Sequence, residues 1–175
     1  MPARRMPRPA RKASEPGKST GRRSEATGLE HTRFRMESRR TAVAPAVERV
    51  IAASRPAGLT QEQTDNLAVA VAEALSNAAV HGNRLEPGSQ VRVKIAVERG
   101  SCVIVDISDT GPGFDLTAVS DPTHPERVLA TGGRGVFLMR RLVDEVEFNK
   151  AGNRVRLTVR VRRRRTSPRR RAADR

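Results

Sequence analysis

Four polar side chains at helical spacing are the first residues in this chain that could do chemistry: Asn66, Glu73, Asn77 and His81. At 100° per residue they fall within about 80° of one another, along one edge of an apolar stripe. An edge position half-buries a polar group and fixes its direction, as a site requires. The plain alternative is a solvated helix face. For His81 it is a cation at a helix C-terminus, interacting with the dipole. A second candidate follows a Val/Ile-rich run, at Asp109-Thr110-Gly111-Pro112-Gly113-Phe114. An Asp at a strand end can accept a hydrogen bond from an exocyclic amine, and the glycines after it let backbone approach a ligand closely. The same residues also make ordinary turns. The third is Thr131-Gly132-Gly133-Arg134-Gly135, read as a glycine loop leading into an apolar helix. There free N–H groups and the helix dipole would favour an anion. It lacks the Gly-Lys-Ser/Thr of a Walker loop and is not a dinucleotide fingerprint.

The elements that must position these groups are legible in the hydrophobic pattern. Residues 31–37 alternate, with Phe34 and Met36 on one face of a first strand. Val43, Val47, Val50 and Ile51 mark a helix over residues 42–53, ended by Pro56 and Gly58. Thr60-Gln61-Glu62-Gln63 fits a capping box, opening a helix expected to run to His81 and stop at Gly82. Its apolar stripe is Leu67, Val71, Ala74, Leu75 and Ala78. Two alternating strands follow, at 90–98 and 102–108, joined by Arg99-Gly100-Ser101. A loop-rich segment from Asp109 to Arg134 precedes a helix over 136–142. A last strand pair, 145–149 and 154–161, closes around residues 150–153. Short turns between successive strands require antiparallel pairing. The expected fold is α/β, a two-layer sandwich of helices on a mixed, largely antiparallel sheet.

Charge divides the 175 residues into three parts. Residues 1–28 carry eight Lys/Arg against two Glu, and residues 162–175 carry eight Arg against one Asp. The stretch from 29 to 161 is close to neutral, so it is expected to be the folded domain between two disordered basic tails. Arg162 to Arg165 and Arg169 to Arg171 can meet polyanions non-specifically, but no interleaved aromatics offer base stacking. A lone Cys102 in the run Cys102-Val103-Ile104-Val105 excludes an intrachain disulfide and is expected to be a buried structural thiol. No run approaches a membrane span, and the basic N-terminus lacks the apolar stretch of a secretory signal. The default location is cytoplasmic.

In order and spacing, Glu73-x3-Asn77-x3-His81, then Asp109-x-Gly111-x-Gly113-Phe114, then Gly133-x-Gly135 resemble the N box and two glycine boxes of the GHKL ATPases. Within that superfamily, residues 72–82, 107–115 and 132–139 are similar to the anti-sigma-factor serine kinases. The resemblance implies a Bergerat-type fold over about 29–161 and binding of ATP with Mg²⁺. It implies that Asn77 offers its oxygen to Mg²⁺ and that Glu73 is the general base. Asp109 would accept the adenine amine, Gly111 and Gly113 would close backbone around the nucleotide, and Gly133 and Gly135 would place N–H groups on phosphates. Thr158, in the last strand, would help hold adenine. Residues 115–131 would be a mobile ATP lid. Where some relatives carry an Arg just ahead of the second glycine box, this chain has Thr131, with Arg127 or Arg134 as substitutes. The implied activity is a protein serine/threonine kinase acting on a Ser of an anti-sigma-factor antagonist and sequestering a sigma factor. Relatives that dimerise imply a homodimer. The alternative is a nucleotide-switched binding module without kinase activity.

Overall fold

Alternation along the strands dictates the architecture. In the computed structural model, which describes residues 29–113 and 133–162, five strands form one sheet in the order β1-β2-β3-β5-β4. They are β1 (Leu29–Glu37), β2 (Gln90–Glu98), β3 (Cys102–Ser108), β4 (Glu145–Phe148) and β5 (Arg154–Arg160). Every pairing is antiparallel. Helices on a largely antiparallel sheet were expected, and among the described residues the parallel pairing of a mixed sheet does not occur. The basic tails and the 115–131 segment lie outside the described residues.

Alternate strand residues Val91, Val93, Ile95, Val97, Val103, Val105, Ile107, Val155, Leu157 and Val159 are buried. Three helices cover that face: α1 (Val43–Ser54), α2 (Gln61–Ser76) and α3 (Gly133–Leu142). Removing these aliphatic groups from water is the main driving force for the sandwich. The same alternation corrects the reading of Cys102. Because Val103 points inward, Cys102 points outward and is only half-buried, with Sγ 3.9 Å from Glu98 Oε2. An apolar run two residues either way does not decide which face a strand residue takes.

The α2 start matches its capping box: Gln63 N–H donates to Thr60 Oγ1 at 3.2 Å and Thr60 N–H to Gln63 Oε1 at 3.3 Å. Gln63 is buried and also ties the helix to the sheet, its Nε2 donating to the Arg160 carbonyl at 2.6 Å. The helix does not continue regularly to Gly82. After Ser76 it widens into a π-helical turn, Asn77–Gly82. Asn83 N–H donates to the Ala78 carbonyl at 2.8 Å, five residues back. The exit is made by Arg84 and Leu85, both left-handed at φ 53° and 57°. π-turns inside α-helices are rare and concentrate at functional sites. Left-handed backbone at two successive side-chain-bearing residues also persists only where packing imposes it.

Candidate active site

The π-turn sits where α2 meets the Asp109 loop, and the reason is a close approach. A Cβ on Gly82 would stand 2.6 Å from both carboxylate oxygens of Asp109. A Cβ on Gly111 would strike the Gly82 carbonyl. Gly82 is the last residue of the helical run, as its position suggested, and it does more than end it. It is the residue without a side chain that lets the helix backbone rest against the loop. Gly113, at φ 80°, presses in the same way on the Ala151 carbonyl. So Gly111 and Gly113 serve contacts between three stretches of backbone.

Two asparagines that the sequence did not single out hold this loop. Asn83 is buried, and its Oδ1 accepts from the Thr110 N–H at 3.0 Å and the Thr110 hydroxyl at 2.9 Å. Its Nδ2 donates to the buried Ser38 Oγ at 2.7 Å. Asn153 donates from Nδ2 to the Gly111 carbonyl at 3.2 Å, and its own carbonyl accepts from Asp109 N–H at 3.1 Å. Asn149 in turn donates to Asn153 Oδ1 at 2.8 Å. Only the register between β3 and β5 brings Asn153 to Gly111, so local sequence carried no signal for it.

Within this frame Asp109 Oδ1 accepts the Gly111 N–H at 2.8 Å, while Oδ2 accepts nothing from the described residues. Burial pushes the Asp109 pKa above the ordinary carboxylate value, and the N–H groups of Gly111 and of Asp109 itself pull partly against that. A half-buried carboxylate oxygen without a partner is a ready acceptor for a ligand N–H.

One turn and a half back along the same helix, the structure brings Glu73, Asn77 and Gly135 together. A Cβ on Gly135 would stand 3.0 Å from Glu73 Oε2, 3.1 Å from Asn77 Nδ2 and 3.8 Å from Asn77 Oδ1. Gly133 to Gly135 are not a loop ahead of the helix but its first turn, since α3 begins at Gly133. The first N–H groups of a helix have no partner inside it, and this first turn of α3 lies beside the Glu73 carboxylate and the Asn77 amide at Gly135. Neither the Glu73 nor the Asn77 side chain has a hydrogen-bond partner among the described residues. From Glu73 to Gly82 the helix rises about 13 Å at 1.5 Å per residue, so one rod lines both ends of an elongated site. Asn66 lies further back on α2, half-buried, and His81 is exposed.

Thr158 is not part of this arrangement. It is buried, but it alternates with Leu157 and Val159, which face the helices, and it pairs with Ile104 and Glu145. Its side chain therefore lies on the opposite face of the sheet from Asp109. Arg134 is exposed at the second position of α3. Thr131 and Arg127 lie outside the described residues.

A family model described as histidine kinase-like ATPase domain matches residues 36–159. The chain belongs to this family. The resemblance carried by the three motifs is thus borne out over most of the described chain. Among the relatives of this histidine kinase-like ATPase domain are proteins named serine-protein kinase RsbW. The one from Oceanobacillus iheyensis is 33% identical over 98 residues, covering 53% of this chain and 61% of the relative. That of Bacillus subtilis is 30% identical over 108 residues, covering 58% of this chain and 67% of the relative. That of Listeria monocytogenes serotype 4b is 32% identical over 98 residues, covering 53% and 62%. The match thus spans about three fifths to two thirds of the relatives' length.

The residues present fit Mg·ATP. Mg²⁺ keeps most of its octahedron in waters and phosphates and takes one or two protein ligands. A single amide oxygen on Asn77 beside the α3 N-terminus suits that habit, whereas no cluster of three His, Cys, Asp or Glu exists among the described residues. No helix among them is long and apolar enough to cross a membrane.

Proposed function

We propose that this domain binds Mg·ATP between α2, the Asp109 loop and the start of α3, and transfers the γ-phosphoryl group to a serine of a partner protein. The observation that carries the reading is the meeting of Glu73, Asn77 and Gly135 at one point, with an Asp109 oxygen that has no partner among the described residues beside Gly82, further along that helix. Asp109 accepts the adenine amine, which selects ATP over GTP. Gly111 and Gly113 keep the loop backbone close to the nucleotide. The N–H groups of Gly133 and Gly135 meet the phosphates at the positive end of α3. Asn77 Oδ1 would hold Mg²⁺, which supplies neutralisation of charge on the transferring phosphate. Glu73 takes the serine hydroxyl proton while the serine oxygen bonds to the γ-phosphorus and the bond to the bridging oxygen of ADP breaks. Positioning, charge and a base are what phosphoryl transfer asks of a protein.

The serine belongs to an anti-sigma-factor antagonist in this reading, and the unphosphorylated antagonist competes with a sigma factor for the domain, in the cytoplasm and on a homodimer. The relatives' name, serine-protein kinase, supports the transfer step. Incubating the full chain with γ-labelled ATP, Mg²⁺ and candidate antagonist proteins tests it. A labelled phosphoserine is expected on the antagonist. Nucleotide binding with no phosphoserine on any candidate would replace this reading by a nucleotide-switched binding module.

A further inference from the structure

The face of the sheet turned away from the helices has a charge pattern that folding does not explain. Register places Arg33 directly opposite Lys94 and Arg35 directly opposite Arg92. Like charges facing each other across strands are destabilising. None of these four residues has an ion pair among the described residues, and only Arg35 has a polar contact, a 3.4 Å hydrogen bond to Gln90 Oε1. Protection of the β1 edge by charge accounts for Arg33 and Arg35 but not for Arg92 and Lys94, which lie on an interior strand.

The two rows continue across the sheet. The first runs from Arg35 through Arg92 and Ser108 to Arg154, and the second from Arg33 through Lys94, Asp106 and Arg156 to Glu147 on the far edge strand. Asp106 is shared, at 3.4 Å from Arg154 Nε and 3.0 Å from Arg156 Nη2. With strands about 4.8 Å apart and alternate residues about 6.6 Å apart, the six cations cover a flat field about 14 Å wide. Leu29 pairs with Glu98, and Arg160 with Cys102 across the adjoining hairpin. The chain therefore enters and leaves the domain at one end of this face. The sequence before Leu29 carries a net charge of +6 and that after Val161 a net of +7.

We propose that this open sheet face binds the phosphate backbone of double-stranded nucleic acid. A duplex offers one negative charge per about 1.7 Å of axis, a density suited to a flat field of Arg and Lys. Among the described residues the face carries no Phe, Tyr or Trp, and its one ring is the imidazole of His31 at the edge: Phe34 and Phe148 pack against the core and Phe137 is on α3. Such a face offers no platform for the base stacking on which single-strand binders depend, so the recognition is of backbone and independent of sequence. The face also lacks the apolar anchors of a membrane-surface element. A second copy would meet it with like charge.

The test uses the full chain and a fluorescently labelled DNA duplex about two helical turns long, titrated over a range of KCl. The variant replaces Arg33, Arg35, Arg92 and Lys94 together by Thr, a good strand former, and keeps both tails. Binding by the native chain is expected, with the log–log salt slope flattened in the variant by about 3 to 4, at about 0.9 for each phosphate no longer neutralised. Affinity near 0.1 M salt is expected to drop by about three orders of magnitude, as that slope gives over the decade below 1 M, while the melting temperature holds or rises. A folded variant with native affinity and slope would assign all binding to the tails and overturn the proposal. So would tighter binding of poly-glutamate, or of vesicles rich in phosphatidylserine, than of the duplex.

Discussion

Around Asp109 nearly every polar group already has a protein partner: Asn83, Asn153, Asn149, Ser38 and Thr110 form a connected set of hydrogen bonds, and Gly82 and Gly111 touch backbone to backbone. Around Glu73 and Asn77, at the other end of the site, no described residue partners either side chain. On the proposed reading the first end is finished before the nucleotide arrives, and the second is completed with it. A preorganised end spends little ordering entropy on binding and fixes which ligand enters. An end made of unpartnered carboxylate and amide keeps its charge free for the reacting group. The proposed function thus separates recognition from chemistry in this domain, and substitutions should divide accordingly.

The largest expected effect is at the unpartnered end. Glu73→Gln should lower phosphoryl transfer by about 10² to 10⁴-fold, the usual worth of a general base, while leaving ATP affinity within error. Single-turnover transfer beside equilibrium binding measures both. Equal loss of affinity and transfer would dissolve the comparison.

Asp109→Asn should do the reverse, weakening ATP by about a hundredfold, as when a hydrogen bond to a charged group is removed. Its stability effect has the opposite sign. Burial raises the folded pKa of Asp109 above its unfolded value. The group thus contributes stability that is present below about pH 3.9 and lost as pH rises through the folded pKa. At neutral pH the ionised carboxylate is a cost, so the Asn variant should melt at an equal or higher temperature, with the gap closing on acidification. A lower melting temperature for the variant at neutral pH would contradict this.

Gly135→Ala sharpens the contrast further. Its new methyl would sit 3.0 Å from Glu73 Oε2, the end of a flexible side chain. The helix should gain up to about 1 kcal/mol from losing a glycine, and transfer should fall about tenfold through the displaced carboxylate. Thermal melting and kcat together report it. The smallest change is expected from Asn83→Ala, which removes a buried brace at about 1–3 kcal/mol and loosens ATP about tenfold without a separate effect on transfer. Chemical denaturation and calorimetry would measure the two.

The sequence was most informative where structure is local. The Thr60–Gln63 capping box, the α2 stripe from Leu67 to Ala78 and both hairpins follow from spacing alone, because each depends on residues a few positions apart. What it did not reveal depends on contacts far along the chain. The π-turn at Asn77–Gly82 exists because Gly82 must reach Asp109, 27 residues on. Asn83 and Asn153 acquire their roles only through the loop and the β3–β5 register. Gly133 to Gly135 read as loop by propensity but are helical, since α3 packs on α2. Thr158 and Cys102 were assigned without their strand parity, and parity turns both away from the helices.

The central claim is that Asn77 and the α3 N-terminus hold a nucleotide through its metal and phosphates, while Asp109 holds the base. Calorimetric titration of ATP into the full chain, with Mg²⁺ and then with a chelator, tests this most directly when repeated on Asn77→Ala. ATP binding by the native chain should weaken sharply on chelation, and the weaker binding of the variant should no longer respond to Mg²⁺. Identical Mg²⁺ dependence in both proteins, or no ATP affinity in the native chain, would contradict it.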